Sequence, residues 1–365
     1  MMSIITTQKV IQEKPCPKVG IVILNWNTWE DTIECLESLF LNSYPNYITI
    51  VIDNASKDES IKKIKEYCQG DLPVKSNFVK YHPENKPIKY IEYTREEALT
   101  KKTEPLEFKD LPSSKKVVII KNEKNYGFPE GNNIGMRYAL NCNCDYVLLL
   151  NNDTVVDKEF LTEMIKVAER DNQIGLTGSK IYYYYHPTKI QSTGGRIRWA
   201  FGDIINYGNV IDNGQYDIIE ERDYFTSNSL LIKKMVIENI SFIDPTFFFG
   251  QEEYDYCTRA KRNGWKLVYV PSSKIWHKVG SSKLKLSMDK DTLNVIKKTG
   301  GFMQYKYEYK LFKRYCPPII FVFSFILRLL IRALRTKRNR IEYLKKYFSE
   351  SSPYDPYDIS IREKE

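Results

Sequence analysis

Short apolar runs alternate with amphipathic stretches through the first half of the chain. Unbroken β-branched runs are typical of buried strands, and a 3.6-residue apolar period is typical of helices. The pattern predicts, in order, a strand at 18–24, a helix at 32–41, strands at 49–52 and 117–121, a helix at 132–140 and a strand at 146–150. This alternation predicts an α/β fold with a mostly parallel central sheet, covered on both faces, that binds ligands at the carboxyl ends of its strands.

The rest of the chain is less regular. Residues 72–116 are rich in Lys, Glu and Pro with little periodicity, which predicts a surface insertion. A helix at 158–169 and a strand at 266–270 are predicted, and 180–224 should build the second side of a site. We therefore expect three parts: an N-terminal extension at 1–17, an α/β domain at 18–282, and a helical, basic C-terminal extension at 283–365.

Composition and charge narrow the class of protein. The chain is 42% hydrophobic and 28% charged, which is ordinary for a globular protein. Residues 306–347 hold twelve Lys or Arg against two Glu, a net charge of +10, whereas the whole chain carries +9. The basic character therefore belongs to the tail, and a uniformly basic surface for nucleic acid is not supported.

Two further features predict the compartment. Residues 1–18 contain no apolar run of signal-peptide length, and the seven cysteines lack paired zinc-ligand spacing. We therefore expect a cytoplasmic protein with reduced thiols.

A polar turn at 52–58 follows the second predicted strand. Asp53 at the strand's carboxyl end is placed to accept a hydrogen bond from a nucleotide base or a ribose hydroxyl. Ser56 and Asp58 can cap the next helix. A plain turn with an N-cap explains Ser56 and Asp58 but not Asp53, so both interpretations stay open.

A segment rich in Gly and Asn, 125–135, follows the third predicted strand. Its three glycines let the backbone approach a ligand closely, and N–H groups at a helix start suit negatively charged oxygens. The segment is not G-x-G-x-x-G and does not follow the first strand, so a Rossmann dinucleotide site is a poor match. Simple turn chemistry remains the alternative.

Polar oxygen ligands end the fourth predicted strand, at Asn151, Asn152 and Asp153. A divalent cation that bridges a diphosphate requires such ligands, because Mg²⁺ and Mn²⁺ prefer carboxylate, carbonyl and water oxygens. Asp153 is the predicted direct ligand. An Asn-Asn-Asp turn also occurs as loop punctuation.

An acidic cluster lies between an aromatic run at 247–249 and a basic stretch at 259–262. Carboxylates beside aromatic surface have raised proton affinity, which suits a general base, but an acidic helix start favoured by the macrodipole is the alternative. His277, one of three histidines, follows the last predicted strand. A lone histidine is also commonly structural.

In this order the motifs resemble those of family-2 glycosyltransferases of the GT-A fold, particularly the rhamnosyltransferase-like branch that builds surface polysaccharides. The resemblance runs from about residue 18 to 282. It rests on the strand signature at 22–27, Asp53-Asn54, the loop at 125–135, residues 151–153 where the family carries D-x-D, 192–195, 212–217, 230–232, Glu252-Glu253-Tyr254-Asp255 at the E-D-x-D signature, and His277. At 151–153 the first acid of the family motif is Asn.

The resemblance implies a single Rossmann-like nucleotide-binding domain and a role for each motif. Glu253 would be the base, with Glu252 and Asp255 in the same catalytic motif. Asp153 and His277 would hold Mn²⁺ or Mg²⁺, and the histidine nitrogen favours Mn²⁺. The implied nucleotide-sugar contacts are Asn25, Asn27, Asp53, Asn125, Gly127, Phe128, Asn132, Asn133, Asn151 and Asn152.

These roles predict a metal-dependent, inverting transfer of a sugar from a nucleoside-diphosphate donor to a glycan or polyprenol-linked acceptor. A single in-line displacement inverts the anomeric centre. A sugar-phosphate nucleotidyltransferase is an enzymatic rival, but it requires a Gly-rich, basic loop where this chain has Asn25-Trp26-Asn27. A non-catalytic sugar-binding or scaffold protein of the same fold is the other alternative.

The tail predicts a membrane contact. An apolar stretch follows Pro317 and Pro318 but is too short to span a bilayer, which needs about 20 residues. Arg328, Arg332 and Arg335 then lie along one face of a predicted helix whose other face is apolar. We expect 317–340 to lie in the interface at the cytoplasmic face of the membrane. Packing on the catalytic domain or on a second subunit is the alternative.

Overall fold

The computed structural model describes residues 16–279, 306–323 and 326 of the 365-residue chain. Its helices are α1 (Trp29–Leu39), α2 (Ser60–Gln69), α3 (Arg95–Thr100), α4 (Gly127–Asn141), α5 (Phe160–Ala168), α6 (Lys234–Ile240), α7 (Glu252–Arg262) and α8 (306–315). Its strands are β1 (Val19–Asn25), β2 (Tyr47–Asp53), β3 (Lys89–Thr94), β4 (Lys116–Lys121), β5 (Tyr146–Asn151), β6 (Thr154–Val156), β7 (Ile174–Tyr183), β8 (His186–Ser192), β9 (Gly195–Arg198), β10 (Asp203–Asn206), β11 (Val210–Ile211), β12 (Glu220–Glu221), β13 (Ser229–Lys233) and β14 (Lys266–His277).

The central sheet has the strand order β11-β8-β7-β13-β5-β1-β2-β4-β3. The strands from β5 to β3 in this order run parallel to their neighbours. β13 lies antiparallel between β5 and β7, and β14 runs parallel to β7. The predicted GT-A architecture, an α/β fold with a mostly parallel central sheet, is confirmed.

The sheet is covered on both faces, as β1 illustrates. Val22 packs into the same core as Ile134 of α4, whereas Ile21 and Ile23 pack into the opposite core with Leu36 of α1. All five side chains are fully buried. Burial of each such side chain stabilises the fold by about 1.5–3 kcal/mol, so both faces select apolar residues and the strand shows no alternation.

The predicted surface insertion at 72–116 contributes to the sheet. Its strand β3 pairs in parallel with β4, from Lys89 opposite Lys116 to Thr94 opposite Lys121. Most β3 side chains are half-buried or exposed, so the strand lacks the apolar run of its neighbours. A buried Phe108 further attaches the segment to the core.

Helix α4 begins at Gly127, five residues before the predicted start. Its glycines allow close packing on β1: a Cβ on Gly135 would lie 2.4 Å from Cγ1 of Val22, and one on Gly131 would lie 2.7 Å from Cδ1 of Leu24. Low intrinsic helix propensity hides this first turn from the sequence pattern, and tertiary packing overrides it.

The C-terminal helix α8 packs on the α/β domain. Tyr307, Leu311 and Tyr315 form a buried cluster with Phe247. Of the predicted interface helix at 317–340, the structure describes 317–323 and 326, of which 318–323 and 326 are helical, and the remainder lies outside the described residues. The predicted domain boundary at 282 lies outside them as well. No helix among the described residues is long and apolar enough to cross a membrane.

Candidate functional site

A continuous hydrogen-bonded network joins the carboxyl ends of β1, β2 and β5. Asn25 Nδ2 donates to Asp53 Oδ1 at 2.8 Å, and Thr32 Oγ1 donates to Asn25 Oδ1 at 2.8 Å. Asn152 Nδ2 in turn donates to Thr32 Oγ1 at 2.9 Å. All four residues are buried. Asn25, Asp53 and Asn152, three of the residues predicted to contact a nucleotide sugar, come from three different strand ends. This network holds them in one fixed arrangement.

The turn after β2 is ordered by Asp53 itself. Ser56 donates from Oγ to Asp53 Oδ1 at 2.6 Å and from its backbone N to Asp53 Oδ2 at 3.1 Å. The sequence predicts Ser56 as a cap of the next helix. This prediction is wrong for Ser56, because α2 begins only at Ser60 and Ser56 instead bonds to Asp53. Asn27, with a φ of 55°, accepts from the backbone N of Lys57 at 2.7 Å. Within the described part of the chain, Asp53 Oδ2 accepts only the bond from the backbone N of Ser56, so this carboxylate oxygen can accept one more.

The Gly/Asn segment, 125–135, makes hydrogen bonds to other parts of the chain. Asn125 Oδ1 accepts from Asn54 Nδ2 and from the backbone N of Gly127, both at 2.8 Å. Gly127 has a φ of 78°, and a Cβ there would lie 2.7 Å from the carbonyl O of Phe248. The same carbonyl accepts from the backbone N of Phe128 at 2.9 Å. This glycine allows close approach of another loop of the chain.

Asn132 and Asn133 lie inside α4 and make internal hydrogen bonds. Asn132 Nδ2 donates to the carbonyl O of Phe128 at 2.8 Å. Asn133 exchanges two bonds with the backbone of Ile243, at 2.8 and 3.1 Å. Both side chains are buried. Asn133 thus anchors α4 to the loop that leads to α7, and a direct contact of either residue with a nucleotide sugar stays a prediction.

Asp153 and His277, far apart in sequence, converge at the carboxyl end of the sheet. His277 Nε2 lies 3.1 Å from Asp153 Oδ1, and His277 Nδ1 lies 3.0 Å from Gln191 Oε1. Because Gln191 Oε1 can only accept, Nδ1 carries a proton, and in the neutral ring Nε2 is an acceptor that lies within reach of both Asp153 Oδ1 and Asn228 Nδ2. Asn228 Nδ2, 2.9 Å away, also contacts Nε2. Two lone-pair donors this close repel each other unless a proton or a cation lies between them.

The backbone around this pair fixes its geometry. The backbone N of Lys278 donates to Asp153 O at 3.0 Å, and the Lys278 ammonium forms buried ion pairs with Asp31 and Glu34 of α1. Asn151 donates its backbone N to Asn228 O at 3.2 Å. Among the described residues, no group of three or more His, Cys, Asp or Glu side chains could hold a metal ion. Asp153 and His277 therefore form a pair of side chains that could offer a metal ion two ligand atoms.

A pair of carboxyl groups opens α7. Burial raises the pKa of Glu252 well above its ordinary value, and the neighbouring charge of Glu253 raises it further. Burial also raises the pKa of Glu253, while a hydrogen bond from Glu252 opposes that rise. The rise is larger for Glu252, so Glu252 keeps its proton to higher pH than Glu253 does. Gln251 precedes the pair with a φ of 74°.

Asp255 has a different environment from the other two acids. It is completely buried, and its Oδ2 accepts from Arg259 Nε at 2.9 Å. Its Oδ1 accepts from Arg314 Nη1 at 2.5 Å and from Tyr315 Oη at 2.7 Å. Both oxygens are therefore occupied, which suits an anchor and not a group that exchanges protons with a ligand.

The segment 224–228 connects the start of α7 with the Asp153–His277 pair. Phe225 O accepts from the Cys257 thiol, one turn after Glu253, and Asn228 contacts His277. Three residues of extended chain span at most about 11 Å, so Phe225, which contacts α7, and Asn228, which contacts His277, lie within about that distance of each other. β13 begins directly after this segment, with Ser229 opposite Leu150 of β5.

Three residues of this site were missed by sequence reasoning. Thr32 links Asn25 to Asn152. Asn228 contacts Nε2 of His277, and Gln191 fixes the tautomer of the same imidazole. Thr32 carried a weak signal, since it is a polar residue on the buried face of a predicted helix. Gln191 and Asn228 carried none, because strand pairing alone brings β8, β13 and β14 together.

The family comparisons cover most of the α/β domain. A family profile described as "Glycosyltransferase like family 2" matches residues 106–292, just over half of the chain. A second profile, "Glycosyl transferase family 2", matches residues 20–91.

Two named proteins are similar in sequence. The dTDP-rhamnosyl transferase RfbF of Shigella flexneri is 22% identical over 248 residues, which cover 65% of this chain and 78% of RfbF. The low-salt glycan biosynthesis hexosyltransferase Agl10 of Haloferax volcanii is 26% identical over 144 residues, which cover 38% of this chain and 44% of Agl10.

Two solved structures are also similar. GalNAc-T7, solved with UDP, GalNAc and Mn²⁺, has a TM-score of 0.49 and 15% identity over 73% of this chain and 44% of that one. The mannosyltransferase PcManGT from Pyrobaculum calidifontis, in complex with GDP-Man and Mn²⁺, has a TM-score of 0.47 and 11% identity over 93% of this chain and 82% of that one. This chain thus spans less than half the length of Agl10 and of the GalNAc-T7 chain.

Proposed function

The chain belongs to glycosyltransferase-like family 2, and we propose that it transfers a sugar from a nucleoside-diphosphate donor to a glycan or lipid-linked acceptor with inversion at the anomeric carbon. One observation carries the mechanism. The segment 224–228 contacts His277 of the Asp153–His277 pair through Asn228, and through Phe225 it contacts α7, whose first turn carries Glu252 and Glu253. In the proposed reaction, Asp153 and His277 would serve the leaving diphosphate, and Glu253 would be the base for the acceptor hydroxyl.

The donor would bind along the network of buried polar side chains at the strand ends. The free lone pair of Asp53 Oδ2 is suited to accept from a base N–H or a ribose hydroxyl. Asn25 and Ser56 hold this carboxylate in place. Among the other predicted contacts, Asn27, Asn151 and Asn152 line the same edge, and Asn125, Gly127 and Phe128 shape the adjoining loop.

A divalent cation, Mn²⁺ or Mg²⁺, would be held by Asp153 Oδ1 and His277 Nε2. These cations commonly take one or two protein ligands and complete their coordination with phosphate oxygens and water, so a two-ligand pair fits the group. The opposed lone pairs of Asp153 and His277 fit it as well, because a cation would relieve their repulsion. When bound, the cation supplies charge stabilisation to the departing diphosphate. Gln191 orients the imidazole for this role.

Glu253 would act as the general base. Its carboxylate takes the proton of the acceptor hydroxyl, and that oxygen forms a bond to the anomeric carbon. The bond from this carbon to the phosphate oxygen breaks, and the nucleoside diphosphate leaves from the opposite face with the electron pair. Burial raises the pKa of Glu253, which makes it a stronger base than an exposed glutamate.

Release of a nucleoside diphosphate from a panel of donor sugars tests this function. The name of RfbF makes dTDP-rhamnose the first donor to try, followed by UDP- and GDP-sugars, each with Mn²⁺. We expect release with at least one donor, and its loss in Glu253→Gln. No release from any donor, or unchanged release in Glu253→Gln, would favour a scaffold protein of the same fold.

We also propose that the tail docks the enzyme on the cytoplasmic face of a membrane. Ile319, Val322 and Phe323 are exposed apolar residues on the helical segment that follows α8. The arginines at 328, 332 and 335 would reach anionic head groups, and a lipid-linked acceptor would then lie beside the active site.

Sedimentation with anionic vesicles tests the membrane proposal. The full chain should sediment with them in a salt-sensitive manner, and a chain that ends at Tyr315 should not. Equal sedimentation of the two chains, or none by either in low salt, would refute the membrane contact without touching the catalytic proposal.

A further inference from the structure

Helix α8 is hydrogen-bonded to the start of α7 through one buried carboxylate. Asp255, two residues after Glu253, is completely buried and accepts from Arg314 Nη1 at 2.5 Å and Tyr315 Oη at 2.7 Å. Arg259, on α7 itself, supplies the remaining partner at 2.9 Å. Two of the three groups that neutralise and bond this carboxylate thus come from the tail.

The same arginine also holds the loop that precedes α7. Arg314 Nη2 donates to Asp244 Oδ2 at 2.9 Å, and its guanidinium lies 5.6 Å from the centre of the Phe247 ring. Arg314 therefore bonds simultaneously to the first turn of α7 and to the 244–247 loop. A planar guanidinium with several fixed donors suits this task, and a lysine ammonium does not reproduce it.

The 244–247 loop is in turn attached to the donor side of the site. Its neighbour Ile243 exchanges two backbone hydrogen bonds with the Asn133 side chain of α4. Phe248 O accepts from the backbone N of Phe128, beside Gly127. The tail thus contacts, directly or through one loop, the elements that carry the base and the elements that shape the donor pocket.

We propose that Arg314 and Tyr315 are positioning residues for glycosyl transfer, which act through Asp255 to set the orientation of the Glu253 carboxylate. This proposal rests on the proposed function of Glu253. A buried carboxylate that loses a partner must move or gain a proton, and either change displaces the first turn of α7. Displacement of a reacting group by about 1 Å lowers rates by roughly 10²-fold, whereas donor binding at the strand ends would be little affected.

Kinetics of full-length variants test the proposal. We expect Arg314→Gln to lower kcat by roughly 10- to 100-fold and Tyr315→Phe, which removes one hydroxyl, by a smaller factor. Binding of UDP, GDP and dTDP with Mn²⁺ should stay within about twofold of wild type in both. Arg314→Lys should recover part of the rate, because it restores the positive charge but not the planar set of N–H donors.

A matched control and a double variant make the test specific. Lys313 is the exposed neighbour of Arg314, and its side chain contacts the Tyr309 ring of its own helix. Lys313→Gln should therefore leave kcat unchanged. If Arg314 acts through Asp255, the double variant Arg314→Gln with Asp255→Asn should be no slower than Asp255→Asn alone.

Three results would overturn the proposal: wild-type kcat in both Arg314→Gln and Tyr315→Phe, an equal loss in Lys313→Gln, or additive losses in the double variant. A fall in nucleotide binding and in Tm that matches the fall in kcat would also overturn it, since a merely structural role predicts that outcome. Because Tyr315→Phe removes a single atom, it remains informative if Arg314→Gln does not fold. Absence of transfer by the wild-type chain would instead refute the proposed function.

Discussion

The two halves of the site differ in how completely their buried polar atoms are paired. In the donor half, the network of Asp53, Asn25, Thr32 and Asn152, each side chain bonds to the next. In the base half, buried oxygens have no hydrogen-bond partner within the described part of the chain. These oxygens are Thr226 Oγ1, Gln251 Oε1, Glu252 Oε2 and Glu253 Oε2.

This difference indicates which half is preorganised. A paired network keeps its geometry without a ligand, whereas unpaired buried acceptors are costly and gain from a ligand that donates hydrogen bonds. A polyhydroxylated acceptor or donor sugar has such donors. We infer that the donor half is set by folding and that the base half is completed by substrate.

The largest effect is expected at the junction of the halves. Asp153→Ala should lower transfer by roughly 10³-fold or more, because in the proposed mechanism this carboxylate would hold the cation that stabilises the leaving diphosphate. The fold should persist, since Asp153 contributes more to the site than to packing. Wild-type activity in this variant, or full activity in EDTA, would refute the metal assignment. Asp153→Asn, which keeps the shape and removes the charge, is the matched control.

The next effect separates the two carboxyls of the base half. Glu253→Gln should cut turnover by roughly 10²-fold or more while nucleotide binding stays near wild type. Glu252→Gln should be milder, because its amide N–H replaces the proton that Glu252 donates to Glu253. If Glu252→Gln causes the larger loss, the base is Glu252 and the assignment of this role to Glu253 is wrong.

A smaller effect is expected for His277, the second of the two proposed metal ligands. His277→Ala should reduce activity by roughly 10-fold and shift the metal preference towards Mg²⁺, because a nitrogen ligand favours Mn²⁺. Rates with each metal, measured in both proteins, give the preference. An unchanged Mn²⁺-to-Mg²⁺ ratio would count against ligation by His277.

How far the site could be predicted depends on where its contacts come from. The ends of β1, β2 and β5 were predictable, since apolar runs mark the strands, Asp53 ends β2 and Asp153 lies two residues after β5. β3 was not, because an edge strand needs no apolar run. The start of α4 was hidden by Gly127 and Gly131, whose role is close packing.

Contacts between distant segments could not be predicted. The resemblance to the family supplied His277 as a partner for Asp153, but nothing in the sequence pattern indicated Asn228 or Gln191. The bonds of Asp255 to Arg314 and Tyr315 depend on where α8 docks, and the pattern predicted only that the tail is helical and basic. For this reason Asp255 was grouped with the catalytic acids, although the structure gives it the contacts of an anchor.

The smallest effect compares the stability of the two halves. Thr32→Val, which breaks the paired network, should lower the free energy of unfolding by about 1–3 kcal/mol, because Asn25 Oδ1 loses its hydrogen bond from Thr32 and Asn152 Nδ2 loses one of its acceptors. Glu252→Gln should instead be neutral or stabilising at neutral pH. Urea unfolding of both variants measures this difference, and an equal loss in the two would contradict it.

The raised pKa of Glu252 predicts how the stability of the wild type changes with pH. Because the pKa of Glu252 is raised in the folded protein, the folded state binds more protons than the unfolded state above the ordinary glutamate pKa of about 4.3. Stability of the wild type should therefore fall as the pH rises from about 4.3 through the raised pKa. Glu252→Gln should lack this component, and parallel pH profiles of the two proteins would refute it.

The configuration of the product tests the central claim most directly. Purified full-length chain is given Mn²⁺ and whichever donor sugar supports nucleoside-diphosphate release, and the first-formed product is followed by NMR at the anomeric proton. A single displacement driven by Glu253 predicts a product of inverted configuration from the first turnover, and none from Glu253→Gln. A product that retains the donor configuration would contradict the single-displacement account.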